Sequence, residues 1–189
     1  MSPIIFFPRA ELSHFSVDLD SLNNLAEMPI RCNIKMGIAF FEQTNTLASP
    51  RWAIVLTKST YQSDSVSVHS IFPNGSNGDW YAAHDVNAIR NASNLIGIVH
   101  VADISPLPPF EMLDKYLKSM SPNPKPSGHH PRDPPWSACA WALGILAGLN
   151  VAYKLGLVQP SAMHQSALQK LQILSHMPNV LGQAKVVNV

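Results

Sequence analysis

Charge is scarce in this chain. Asp, Glu, Lys and Arg make up 13% of its 189 residues, against about a quarter in ordinary globular domains. The formal net charge is +1, and neither a basic stripe nor an acidic tail gathers what charge there is. The electrostatic footprint of a nucleic-acid-binding protein is therefore missing, and little field is left to steer charged partners. Cysteine is scarcer still. Cys32 and Cys139 lie far apart, so they make neither a metal-ligand spacing nor a disulfide framework. The longest apolar run, Ala138 to Leu149, falls well short of the ~20 residues that a membrane span needs. The opening stretch, Met1 to Pro8, is apolar but too short and proline-broken for a signal peptide. Gly-rich phosphate loops, dinucleotide fingerprints, zinc motifs and internal repeats are all missing. These absences set an expectation: a cytoplasmic protein with no metal or other cofactor, no nucleic-acid partner and no membrane span.

What is present is apolar residue (46%) and proline, sixteen of them. The prolines divide the chain. Residues 1–32 read as an N-terminal arm with a short helix near Asp20 to Glu27, and residues 33–189 as one α+β domain. Strand-like runs follow at Ile34 to Phe41, Trp52 to Thr57 and Ser65 to Ile71. The third alternates with period two, putting Val66, Val68 and Ser70 on one face and His69 on the other. A turn at Pro73 to Gly78 leads to a short edge strand near Trp80 and Tyr81. Leu95 to Ile104 is an unbroken β-branched run. Pro108-Pro109 then opens a helix with Phe110, Leu113, Tyr116, Leu117 and Met120 at helical spacing. A proline-rich loop over 121–135 precedes an apolar helix headed by Ser137, and after Pro160 a last amphipathic helix starts at a Ser161 cap. Strands first and helices afterwards imply α+β, a mainly antiparallel sheet packed against a central cysteine-bearing helix.

Cys139 sits in the first turn of that central helix. A thiol there feels the positive end of the helix dipole, which favours the thiolate nucleophile. The bland reading is a small buried residue at a helix start. The run Arg51 to Leu56, then Val66-Ser67-Val68-His69, the strand at 95–104, and Trp136-Ser137-Ala138-Cys139 together resemble the circularly permuted papain-like fold. Lecithin:retinol acyltransferase and its bacterial peptidase relatives are the best-known members. The pattern is also similar to small fungal proteins with a strand-rich front and a cysteine–tryptophan helix.

The resemblance covers roughly residues 34 to 155. It implies a catalytic site in which Cys139 is the nucleophile and His69 the second polar residue, while Arg51 stands where the family has its histidine. Arginine stays protonated and cannot accept a thiol proton. The expected function is therefore a small-molecule enzyme acting without a covalent intermediate, such as a cyclase, isomerase or dehydratase on a hydrophobic metabolite. The resemblance supplies the setting, fungal secondary metabolism. Arg51 and His69 would supply electrostatics and acid–base chemistry. Trp52, Tyr81 and Trp136 are candidates to line the substrate pocket, with His130 and Asp133 from the proline-rich loop as a clamp. Two alternatives stand beside it: a Cys139-dependent thiol hydrolase or acyltransferase with His69 as base, and a catalytically inactive binding protein. A homodimer is compatible with all three. His84-Asp85 and His100 with Asp103 rank as weaker groups, since strand parity puts His100 and Asp103 on opposite faces.

Overall fold

The computed structural model describes residues 33–43, 49–74, 79–104, 108–123, 136–157 and 159–189. The arm over 1–32, including Cys32 and the expected helix near Asp20, lies outside the described residues, as do His130 and Asp133.

Among the described residues the architecture is α+β: a six-stranded, mostly antiparallel sheet with three α-helices. Four strands come first: β1 (Ile34–Phe41), β2 (Arg51–Thr57), β3 (Val66–Asn74) and β4 (Asp79–Asn87). A single 3-10 turn at Ile89–Asn91 leads to β5 (Leu95–Ile104). Helices α1 (Phe110–Ser119), α2 (Ala138–Tyr153) and α3 (Pro160–His176) follow, and β6 (Val186–Asn188) closes the chain order. Across the sheet the order is β4-β3-β2-β1-β5-β6, with β5 and β6 parallel and every other neighbouring pair antiparallel. No described helix is long and apolar enough to cross a membrane.

Alternation sorts the strands into two faces. Met36, Ile38 and Phe40, Trp52, Ile54 and Leu56, and Ile71 point to the helices and form the larger core with Leu113, Leu117, Trp141, Leu146 and Leu174. Gly37, Ala39, Phe41, Ala53, Val55, Val66 and Val68 occupy the other face. There a smaller core closes under Tyr61, Ile89 and Ala184 from the connecting segments. Burial on both faces explains why β1 and β2 read as near-continuous apolar runs rather than as clean alternation.

Helix ends follow local chemistry. Ser137 caps α2 as its sequence suggests, its hydroxyl accepting from the Ala140 N–H at 3.1 Å. α3 departs from the Ser161 expectation: Gln159 is the cap residue and Pro160 opens the helix, where its missing N–H costs nothing. β4 is also longer than the short edge strand expected at Trp80 and Tyr81, running nine residues.

Candidate functional site

β3 and β4 carry the candidate site between them. His69 pairs with His84 across the two strands, and both side chains fall on the helix side of the sheet, with Ile71, Trp80 and Ala82. His69 is fully buried. Its Nδ1 lies 2.9 Å from His84 Nδ1, and its Nε2 lies 3.2 Å from Asp114 Oδ1 on α1. The first is a hydrogen bond. The second is close but off the hydrogen-bonding line, and neither atom has another partner. Lys118, one helical turn further along α1, holds Asp114 Oδ2 at 2.6 Å. Three elements thus converge on one imidazole.

The electrostatics of this cluster are set by burial. Desolvation pushes His69 well below the ordinary imidazole range, to about 4, and this outweighs the attraction of Asp114. Lys118 is already paired with the Asp114 carboxylate, which weakens the pull of that carboxylate on His69. Burial acts on Asp114 in the opposite sense, but Lys118, His69 and the Ser67 hydroxyl together hold it below the usual carboxylate value. His84 is lowered too, by partial burial first and by Lys118 second. At neutral pH the Asp114 carboxylate therefore stands beside two neutral imidazoles.

Two neutral rings joined through their Nδ1 atoms need one donor and one acceptor. Asp114, ionised, only accepts, so His69 best meets it with a protonated Nε2 and keeps a lone pair on Nδ1. His84 must then donate from Nδ1, which leaves its Nε2 unprotonated. With that assignment Asp114, His69 and His84 stand in line, and the outer basic nitrogen is His84 Nε2. His84 itself is half-buried.

The structure does not bring His69, Arg51 and Cys139 into one pocket. Arg51 starts β2 on the same face as Ala53 and Val55, opposite His69. Its guanidinium carbon lies 4.5 Å over the Phe41 ring and 4.3 Å over Phe72, and its Nε is buried without a partner. Burial lowers its pKa, partly offset by Tyr81 and Asp85. Cys139 is on the helix side, packed against the larger core. Burial pushes its thiol up to about 12, so desolvation overrides the helix dipole and the group is a thiol at neutral pH.

The expected pocket aromatics separate as well. Trp52 is buried in the larger core, edge-on to Phe40 with centroids 4.9 Å apart. Trp136 is half-buried and donates its indole N–H to the Pro122 carbonyl at 2.8 Å. Tyr81 is 49% exposed and stacks on Phe72 beyond the opposite face. An open depression of about 610 Å³ lies elsewhere, along the end of α3, lined by Gln169, Gln172, Ile173, His176, Met177 and Pro178.

His100 and Asp103 share a face, contrary to strand parity. β1 pairs Gly37 with His100 but Met36 with Ala102, so Val101 is an extra residue that bulges out of register. The bulge turns Asp103 back to the His100 side. Tyr61 Oη then meets His100 Nδ1 at 3.0 Å, His100 Nε2 lies 3.5 Å from Asp103, and Lys35 closes the chain at 3.0 Å. Tyr61 is buried and its pKa is raised, first by desolvation and then by Asp103, so it stays a phenol. This second network sits between the smaller core and solvent.

Sequence reasoning passed over Asp114. A polar residue one position from buried Leu113, with Lys118 at i+4, reads as an ordinary helix-surface pair. The available signal was His69 itself: an imidazole buried in the middle of a strand needs a polar partner from whichever element covers it. Among the described residues, no three His, Cys, Asp or Glu side chains are grouped so as to hold a metal ion. Comparison with known protein families, curated proteins and solved structures finds no match for this chain.

Proposed function

We propose that this protein is a cofactor-independent acid–base catalyst acting on a small apolar molecule without a covalent intermediate, of the isomerase, cyclase or dehydratase kind. The observation that carries this reading is the buried His69 bridging His84 to Asp114. His84 is the acid–base group. Its Nε2 accepts a proton from a C–H or O–H of the substrate, and the imidazolium formed shares its Nδ1 proton with His69. Asp114 stabilises the positive charge through His69 and needs no proton itself. The same Nε2 returns the proton at a second position of the substrate, or to a departing hydroxyl in a dehydration. A depressed pKa keeps His84 unprotonated and ready as a base near neutral pH.

On β4 the neighbours of His84 on its own face are Ala82 and Val86, with Trp80 beyond, which favours an apolar substrate over a charged one. The permuted papain-like resemblance contributes the idea of a site between the α2 helix and the sheet. Here α2 acts as packing, and the chemistry moves to β3, β4 and α1. The thiol-hydrolase alternative is disfavoured because half-buried Cys139 is held as a thiol by desolvation, which raises its pKa to about 12.

The test is turnover of a library of hydrophobic metabolites, read by mass spectrometry, in wild type and three variants. His84→Gln and His69→Gln should lower turnover by roughly 10²–10⁴-fold, the usual worth of a general acid–base group. Cys139→Ser should retain it. Loss with Cys139→Ser and retention with His84→Gln would reverse the assignment. Binding without conversion would favour the inactive binding protein.

A further inference from the structure

Four side chains on the sheet face away from the helices form a single stack. Phe41, Arg51, Phe72 and Tyr81 lie on β1, β2, β3 and β4, and the pairings of Phe41 with Arg51 and Phe72 with Tyr81 set them side by side across the strands. The Arg51 guanidinium is the second layer. Its central carbon lies 4.5 Å from the Phe41 ring centre and 4.3 Å from that of Phe72. The Tyr81 ring continues the stack, 5.2 Å from Phe72 and 14° from parallel. Aromatic rings thus occupy both planar faces of the guanidinium, and cation–π attraction holds it there. Its hydrogen bonds can be made only in its own plane, from its edge.

At that edge the guanidinium is left unsatisfied. Nε is buried and has no hydrogen-bond partner. Asp85 attracts Arg51 through space, but among the described residues no carboxylate pairs with it. Buried charges are ordinarily paired, and an unmet buried donor is costly. In a chain with only 13% charged residues, such a cation is not a by-product of a crowded charged surface. We propose that the edge of Arg51 binds the carboxylate of a small apolar acid, whose body rests against the ring edges of Phe72 and Tyr81. The planar fork of a guanidinium matches a carboxylate in two parallel hydrogen bonds. Tyr81, 49% exposed, offers an aromatic edge beside it. A singly charged acid is favoured over phosphate, because Asp85 is the only other fixed charge that acts on Arg51 among the described residues and would repel a second negative charge. The site lies on the sheet face opposite His69 and His84, so it goes beyond the catalytic reading and stands without it.

Titration of the full chain with benzoate at neutral pH, followed by calorimetry and by side-chain ¹H–¹⁵N NMR of arginine, tests this. Binding should saturate with a Kd of roughly 0.1–1 mM, a range within reach of one bidentate pair and an exposed aromatic edge. It should also move the Arg51 Nε–H resonance. Benzyl alcohol, the neutral counterpart, and inorganic phosphate should each bind at least about tenfold more weakly. Arg51→Gln removes the charge, and Arg51→Lys keeps it without the planar fork; each should weaken benzoate at least about tenfold. Failure to saturate by about 20 mM benzoate overturns the proposal and leaves the stack a structural ladder. Unchanged affinity in either variant overturns it as well, and phosphate binding as tight as benzoate overturns the assignment to a carboxylate. Where the variants fail to fold, an Arg51 Nε–H resonance that benzoate leaves in place overturns it on the wild type alone.

Discussion

Acidification should destabilise this protein through His69, and the sign is diagnostic. The unfolded chain binds a proton at His69 with the ordinary imidazole pKa of about 6.5. In the folded protein desolvation lowers that value to about 4. Between the two, the unfolded state holds the proton and the folded state does not, so stability falls as pH falls. From pH 7 to pH 5 the loss from this one group is about 2 kcal/mol, using 1.36 kcal/mol per unit of pKa difference. His84, displaced in the same direction, adds to it. Asp114 does not contribute in this window: its folded pKa is depressed below 3.8, so its share is lost only under more acid conditions. Urea unfolding at pH 7, 6 and 5, followed by tryptophan fluorescence, measures the slope. His69→Gln cannot titrate and should flatten it, whatever its absolute stability. An ion pair of protonated His69 with Asp114 would give the opposite result, since a raised folded pKa makes stability grow on acidification through pH 6.5. A wild-type curve rising in that direction would refute the neutral relay without any variant.

Two further outcomes follow from the geometry. Cys139 should alkylate with iodoacetamide at pH 8 far more slowly in the native protein than in urea, by peptide mass spectrometry, because burial holds its thiol up to about 12; equal rates would contradict this burial. Gly37→Ala should cost about 1–3 kcal/mol by thermal or urea unfolding, as overpacking does. The new Cβ would lie 2.8 Å from Tyr61 Oη and 2.9 Å from the Val99 carbonyl oxygen, a backbone atom that cannot move aside cheaply. Unchanged stability would show that β1 and Tyr61 are not packed this closely.

The parts of the fold legible in the sequence are those fixed by local chemistry. Ile34 to Phe41 and Leu95 to Ile104 are strands with the bounds their composition indicates, and the Ser137 cap follows from one hydroxyl ahead of an apolar helix. What pairing decides was not legible. The Val101 bulge exists only because β1 lies against β5, and it alone brings Asp103 to the side of His100. Likewise β2 parity puts Arg51 on the face away from His69, but only the register against β3 relates the two. β6 is three residues long and owes its strand to β5 rather than to its own pattern. At the site, His69 was singled out as the second polar residue that the permuted papain-like resemblance implies. His84, with Asp85, ranked among the weaker groups, and Asp114 was not singled out. A buried polar group advertises its need for a partner, and only tertiary structure says which one answers.

The most direct measurement of the relay is long-range ¹H–¹⁵N NMR of the imidazole nitrogens from pH 5 to pH 8. If Asp114, His69 and His84 are arranged as described, His69 stays neutral through this range with its proton on Nε2. Neutral His84 carries its proton on Nδ1 and titrates, if at all, at Nε2. A doubly protonated His69 at pH 7, or a His84 whose neutral form is protonated at Nε2, would contradict the relay and remove its outer base.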